Sequence, residues 1–433
     1  MVGMNYKLAN LEKEGKPIIA SIVGAGQMGR SMVSQMMSMK GMRPAVVVDI
    51  ALENAINAYK EAGLSEGKDF AHAETIEEGN KLLDRGIFVV TGNNELATKC
   101  NAIHCSVDAT GVPEAGAKVA IDAINNKKHI VMLNVETDVC IGHILYKMAN
   151  NAGVIYSGSA GDEPGAVMEL YDFADALGFE VRVMGKGKNN RIDYDCTPET
   201  VAEEAQRKGA SPKMICAFKD GTKTMVEMTA MANATGFLPD VMGAHGASGQ
   251  VKDLPNLLSL KTEGRGGILS SYRTVEYING VAPGVFIIIA SKLPDINHEL
   301  AYLSMGSGPN YVLYRPYHLT SLETPLTVAK ACIDHVPSIV PRAGLVAETG
   351  TIAKRDLNAG EKLDGIGGFT IRGTFISAKE AKEKNVLPMG LVNKNSEMLR
   401  NVKKGELITY ADVKLDETSL MVQLRRLQDA LFL

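Results

Sequence analysis

Ile18-Ile19-Ala20-Ser21-Ile22-Val23-Gly24-Ala25-Gly26-Gln27-Met28-Gly29 is an apolar run that leads straight into a glycine turn. A helix-like segment from Arg30 to about Lys40 follows, and then a second apolar run, Ala45-Val46-Val47-Val48, ends on Asp49. The order is strand, glycine turn, helix, strand, with an acid after the second strand, which is the fingerprint of a dinucleotide-binding unit. Each glycine has a separate task. Gly24 makes the tight turn, Gly26 admits a pyrophosphate close to the backbone, and Gly29 lets the helix pack on the strand. Backbone N–H groups of Gln27 and Met28 at the helix start hold the phosphate charge. Asp49 is placed to accept the ribose 2′-OH and to repel a 2′-phosphate, and no Arg or Lys lies at 50–59. NAD is the expected cofactor, with NADP as the alternative.

Outward from that turn, short β-rich runs alternate with helical stretches. Ala102–Gly111 reads as a strand entering a glycine turn, Glu114 to about Asn125 as a helix, and His129–Asn134 as a further strand. This pattern predicts a doubly wound parallel sheet. Ala109, Thr110, Gly111 and Asn134 then fall on the carboxyl rim, where ligands bind in such sheets. At 433 residues the chain exceeds one ordinary core, so several domains are expected. The boundaries read as 1–157 for the Rossmann domain, 158–336 for an α+β catalytic domain whose last helix returns to the Rossmann sheet, and 337–433 for a small β-rich domain. That last domain ends in a helix at about Ser419–Leu431.

Composition narrows the class. With 45% hydrophobic and 22% charged residues the chain is that of an ordinary globular enzyme, and a net charge of −4 gives no electrostatic case for nucleic acid or anionic membrane. The longest apolar stretch, Val285–Ala290, is far too short to span a bilayer. Met1–Lys16 lacks the apolar core of a signal peptide. Six cysteines without a CxxC pair read as reduced thiols, so a cytoplasmic homo-oligomer acting on a small molecule is expected.

The motif order GAGQMG, DATGVPE, NVETD, SAGDEP, GKGKNN, KTMVEMTAMANATG and RPYHLTSLETPLTVA resembles the homoserine dehydrogenase-like oxidoreductases that carry a C-terminal SAF domain. Within them it is most similar to the 1-deoxy-D-xylulose 5-phosphate reductoisomerase-like branch. The pieces around Ala359-Gly360-Glu361 and Lys404-Gly405-Glu406 carry the SAF-like character, as β-clip turns with charged tips. Homoserine dehydrogenase itself has a lysine after the rim asparagine, whereas Asn134 is followed by Val135, and the Asp/Lys catalytic helix of that family has no counterpart near Asp193–Glu199. The resemblance therefore implies reduction, or isomerisation and reduction, of a small phosphorylated keto-sugar. Homoserine or another polyol or sugar-acid is the alternative substrate, and a nucleotide- or sugar-sensing protein without turnover is the reading from a different class.

Reductoisomerisation needs a cationic or metal electrophile, a phosphate anchor and a hydride donor. Asp162 and Glu163, side by side before a helix, can share Mg or Mn, or can cap that helix. Lys186, Lys188, Asn189 and Asn190, read as a flexible loop after a strand, can pair with phosphate or protonate an alkoxide. Arg315, Tyr317 and His318 bring a guanidinium, a phenol and an imidazole into one turn. Glu323 reads as a helix cap. Glu227, on an apolar segment, requires a partner, and Asn233 and His245 carry less signal.

Overall fold

The computed structural model describes residues 3–432. Its contacts divide the chain into two compact units: 1–162 with 319–340 and 418–433, and 163–318 with 341–417.

The first unit is built on a seven-stranded sheet. Its strands are β1 (Ile18–Val23), β2 (Met42–Val48), β3 (Phe70–His72), β4 (Phe88–Thr91), β5 (Cys105–Asp108), β6 (His129–Met132) and β7 (Tyr156–Gly158), in the spatial order 3-4-2-1-5-6-7. All neighbours are parallel. Helices on both faces explain why β1 and β2 are apolar along nearly their whole length. The helix after the glycine turn spans Gln27–Ser38 and so begins three residues before Arg30, at an N-cap formed by Gly26. β3, only three residues long, left no readable period in the sequence. The helix Thr324–Ala329 places Val328 and Ala329 in the same core as Ile22 and Val47. The helix Leu420–Phe432 docks here too: Ser419 donates to Glu114 at 2.6 Å, and Gln428 donates to the Cys140 carbonyl at 3.0 Å. The terminal helix is therefore part of the Rossmann unit and is separate from the β-rich segment that precedes it in sequence.

The second unit holds a four-stranded sheet made of β8 (Glu180–Lys188), β9 (Thr274–Asn279), β10 (Val285–Ala290) and β11 (Tyr311–Arg315), in the order 11-10-8-9. It also holds a three-stranded antiparallel sheet in which β12 (Ala347–Ala353) lies between β13 (Ile371–Ser377) and Leu407–Ile408. The sequence pattern pairs Ala347–Glu348 onward with the Leu357–Leu363 segment. In the structure β12 pairs with β13 instead, and the 357–363 segment bridges to Glu397 and Val402.

The segment expected to stand apart from 337 onward is tied to the helix Thr222–Thr235. Gly373 N donates to Thr222 at 2.9 Å, the Thr229 and Thr349 hydroxyls meet at 2.8 Å, and Asn233 accepts from the amides of Val346 and Ala347 at 3.0 Å. Asn233 is thereby a structural bracket. These bonds, with Phe375 and Ala347 in the core of Met225 and Met228, make one unit where the sequence pattern suggests two domains.

Gly185-Lys186-Gly187-Lys188 is strand throughout, not a loop. Glycine is required at both positions because the neighbours leave no room. A Cβ on Gly185 would run into the Glu276 carbonyl oxygen, and one on Gly187 into the Ala282 backbone. Gly185→Ala or Gly187→Ala should each lower stability by about 1–3 kcal/mol or more through overpacking. Urea midpoints should fall for both, while Gly92→Ala, whose Cβ meets nothing nearer than 3.8 Å, stays near wild type.

Candidate active site

The first unit presents the dinucleotide cradle. Gly24 has φ +97°, and a Cβ there would lie 2.7 Å from the Ala109 carbonyl oxygen, so this turn presses directly on the loop after β5. A Cβ on Gly29 would strike the Gly24 carbonyl, which is why the helix can start so close to the strand. Gly26 and Gln27 are exposed, Met28 is half-buried, and nothing lies within 4 Å of the Cβ position of Gly26. The backbone is thus open to a pyrophosphate where the fingerprint requires it.

Asp49 accepts from the Ala25 amide at 2.8 Å through one carboxylate oxygen, and through the other from Ala51 N at 2.9 Å and Asn54 Nδ2 at 3.2 Å. It fixes the glycine turn while remaining half-exposed at the carboxyl end of β2. These residues fit a nicotinamide dinucleotide.

Beside the cradle, Thr110 donates to Asp108 through both its amide (3.0 Å) and its hydroxyl (2.7 Å), with half-buried Ala109 before it and exposed Gly111 after it. Asn134 caps the helix Val135–Ala152, accepting from Thr137 N, and donates to the Val112 carbonyl at 3.0 Å. Burial raises Asp108 to about 6. In sequence it reads as the start of the rim segment Asp108–Pro113 at the end of a strand.

The second unit gathers the ionisable residues. Lys186 and Lys188, two apart on β8, point to the same face of the sheet. The Lys186 ammonium donates to Glu163, the first residue of the helix Glu163–Ala176, at 2.6 Å, and also to Glu227 on the helix Thr222–Thr235. All three side chains are buried. The two carboxylates hold Lys186 above its ordinary value against its burial. Glu227 is pushed up by burial and then by the Glu163 charge, because one ammonium cannot neutralise two carboxylates. His318 Nε2 lies 3.4 Å from the same Glu163 oxygen. Glu227 is therefore a central member of the cluster. Its sequence signal was an acid on an otherwise apolar helix, and its partner lies 41 residues away.

Lys188 is almost wholly buried, and its ammonium donates to the Phe218 carbonyl at 3.0 Å. Burial, reinforced by the Lys186 charge, brings it down to about 8. On β9, Tyr277 pairs with Lys186 and Asn279 with Lys188 in parallel register. Burial raises the Tyr277 phenol to about 12. Asn279 donates to the Gly246 carbonyl, but its Oδ1 is buried without a hydrogen-bond partner among the described residues. Neither residue stands out in the sequence.

Asn189 and Asn190 are exposed beyond the end of β8. Arg315 ends β11, lies 3.3 Å from Glu169 and stacks over the exposed Tyr317 ring at 4.5 Å. Asp162 is buried as the last residue of its segment of the first unit, one position before Glu163. In the second unit Glu163 already faces an ammonium. His245 pairs with Asp240 at 2.7 Å, and its amide donates to Glu276 on β9. Glu323 accepts from Leu319 N at 3.0 Å, as a cap should.

Residues 161–324 match the family model described as the catalytic domain of oxidoreductase DRL. The matched span contains Glu163, Lys186, Lys188, Glu227 and His318. The chain is an oxidoreductase. The matched description names neither homoserine dehydrogenase nor a SAF module. No curated protein matches the chain.

Among solved structures, a probable dehydrogenase from Thermotoga maritima is similar at 11% identity and a TM-score of 0.43, over 76% of this chain and 92% of that one. The scyllo-inositol dehydrogenase of Lactobacillus casei, with NAD(H) and scyllo-inositol bound, is similar at 11% identity and a TM-score of 0.42, over 76% and 93%. No helix among the described residues is long and apolar enough to cross a membrane.

Two outcomes follow from this geometry. Asp49→Ala should weaken NADH binding by about tenfold, the scale of a lost hydrogen bond to a charged group. It should also narrow any gap between NADH and NADPH, measured by quenching titration of both cofactors. Glu227→Gln, which keeps the shape and can still accept from Lys186, should stay folded. Glu227→Ala should lower the urea midpoint markedly, since breaking a buried pair costs about 3–5 kcal/mol.

Proposed function

We propose that this protein is a nicotinamide-dependent reductase of a small phosphorylated keto-sugar, using NADH in preference to NADPH. The observation that carries the reading is Lys188, a desolvated lysine brought down to about 8 on the strand it shares with Lys186, inside the segment that matches an oxidoreductase catalytic domain. A proton donor works best with a pKa near the working pH. Bound nicotinamide supplies the hydride to the carbonyl carbon. Lys188 Nζ gives its proton to the carbonyl oxygen as the alkoxide forms, and takes it back from the hydroxyl in the reverse direction. Lys186 stays cationic between Glu163 and Glu227 and stabilises the developing negative charge on oxygen. His318, 3.4 Å from Glu163, is placed to exchange a proton with that carboxylate.

The finer reading is reductoisomerisation of 1-deoxy-D-xylulose 5-phosphate, supported by the motif order from SAGDEP to RPYHL. A divalent cation held by Asp162 and Glu163 would have to share Glu163 with the Lys186 ammonium, and no step is assigned to it. The ionisable residues buried around β8 favour an enzyme over a sensor, since perturbed groups cluster where chemistry is done.

The test follows NADH oxidation against 1-deoxyxylulose 5-phosphate, xylulose 5-phosphate, their unphosphorylated sugars and aspartate semialdehyde, with and without Mn. Turnover confined to the phosphorylated ketoses is expected, and turnover of aspartate semialdehyde alone would overturn the reading. Lys188→Ala should lower kcat about 10²–10⁴-fold, the usual worth of a positioned acid. In the reduction direction Lys188 must start protonated, so kcat/KM should fall as pH rises through about 8. In the oxidation direction it should rise over the same interval.

A further inference from the structure

We propose that Arg372 is the anchor for the anionic group of the substrate, an oxyanion of the phosphate class, with the ring of Tyr194 as its backing. The inference rests on the phosphorylated-substrate reading above and adds to it a residue on the β-rich segment, outside every motif that carried the resemblance.

Arg372 lies on β13, and its guanidinium stacks over the Tyr194 ring at 3.9 Å. That stacking holds the planar fork in place while leaving its N–H groups for a bidentate acceptor. Among the described residues no carboxylate forms an ion pair with it and no acceptor receives its N–H groups. The two acids whose charges reach it are committed elsewhere, Asp220 to Lys354 at 2.6 Å and Asp195 to Lys404 at 2.6 Å. Burial lowers Arg372 from its ordinary value, and the charges of Asp220 and Asp195 offset that only in part.

The residue also belongs to the surroundings of Lys188. Lys188 donates to the Phe218 carbonyl, Asp220 acts on both Lys188 and Arg372, and Gly373 beside Arg372 donates to Thr222 at 2.9 Å. The 218–222 segment therefore links the two cations. On the other side, Asp193 N donates to the Lys219 carbonyl, which brings Tyr194 against the same segment, and the Tyr194 phenol comes near enough to Tyr277 on β9 to act on it.

The bland alternative is that Arg372 only clips the 193–196 loop to β13. Binding of inorganic phosphate to the full chain, by calorimetric titration at low salt, separates the two. Wild type and the surface variant Arg85→Ala should bind alike, Arg372→Ala should bind about tenfold or more weakly, and Arg372→Lys should fall between because the fork is lost but the charge is kept. Equal phosphate binding by wild type and Arg372→Ala overturns the proposal, and so does no binding by wild type. With the best phosphorylated ketose, Arg372→Ala should raise KM more than it lowers kcat, and a loss confined to thermal stability supports the clip instead. If phosphate binds through Arg372 but no ketose phosphate turns over, the anchor stands and the reductase reading fails. If turnover is seen with KM unchanged in Arg372→Ala, the reductase reading stands and the anchor fails.

Discussion

A single ammonium held between two buried carboxylates sets the character of the second unit. Lys186 reaches Glu163 at the start of one helix and Glu227 on another, so the lysine strand, both helices and the sheet are fixed relative to each other by one charge. Taking three ionised groups out of water is costly unless they are mutually paired. Burial first, and then the Glu163 charge, push Glu227 up even though Lys186 and Lys223 act the other way.

The same strand shows how backbone space governs charge. Gly185 and Gly187 alternate with the two lysines because the Glu276 carbonyl and the Ala282 backbone press on the opposite face. The result is a strand with bare backbone on one side and two cations on the other. Lys186 is surrounded by acids and held cationic, while Lys188, two residues on, donates to the Phe218 carbonyl and is brought down to about 8 by burial and the Lys186 charge. Identical side chains on one face thus acquire different proton affinities from their neighbours alone.

Much of the first unit was legible in the sequence. The glycine turn, the strands around it, Asp49, the rim residues 109–111, Asn134 and the terminal helix all have local signatures, but the terminal helix docks on the Rossmann unit and not on the β-rich segment it was read with. The reading of Asp49 gains a detail: its carboxylate holds the Ala25 amide of the turn it serves. The second unit was less legible. The lysine segment read as a loop because alternating glycines look like turn residues until the crowding that demands them is visible. Glu227 looked isolated because its partner is distant in sequence. Arg372 and Tyr194 are far apart along the chain and carry no shared motif.

What the sequence by itself determined is what short spacing controls. Hydrophobic periodicity, a glycine turn that only small residues can make and an acid at a strand end fix a dinucleotide-binding α/β unit within about thirty residues of chain. Tertiary structure decided which charges face each other, and how the β-rich segment joins the rest. The segment from 337 to 433 looks like a separate module in sequence, yet its 341–417 part shares a core and hydrogen bonds with 163–318. The physical reason is range. A turn or a helix start is satisfied by neighbours a few residues away, whereas a buried charge is satisfied only by whatever the fold brings against it, at any distance along the chain.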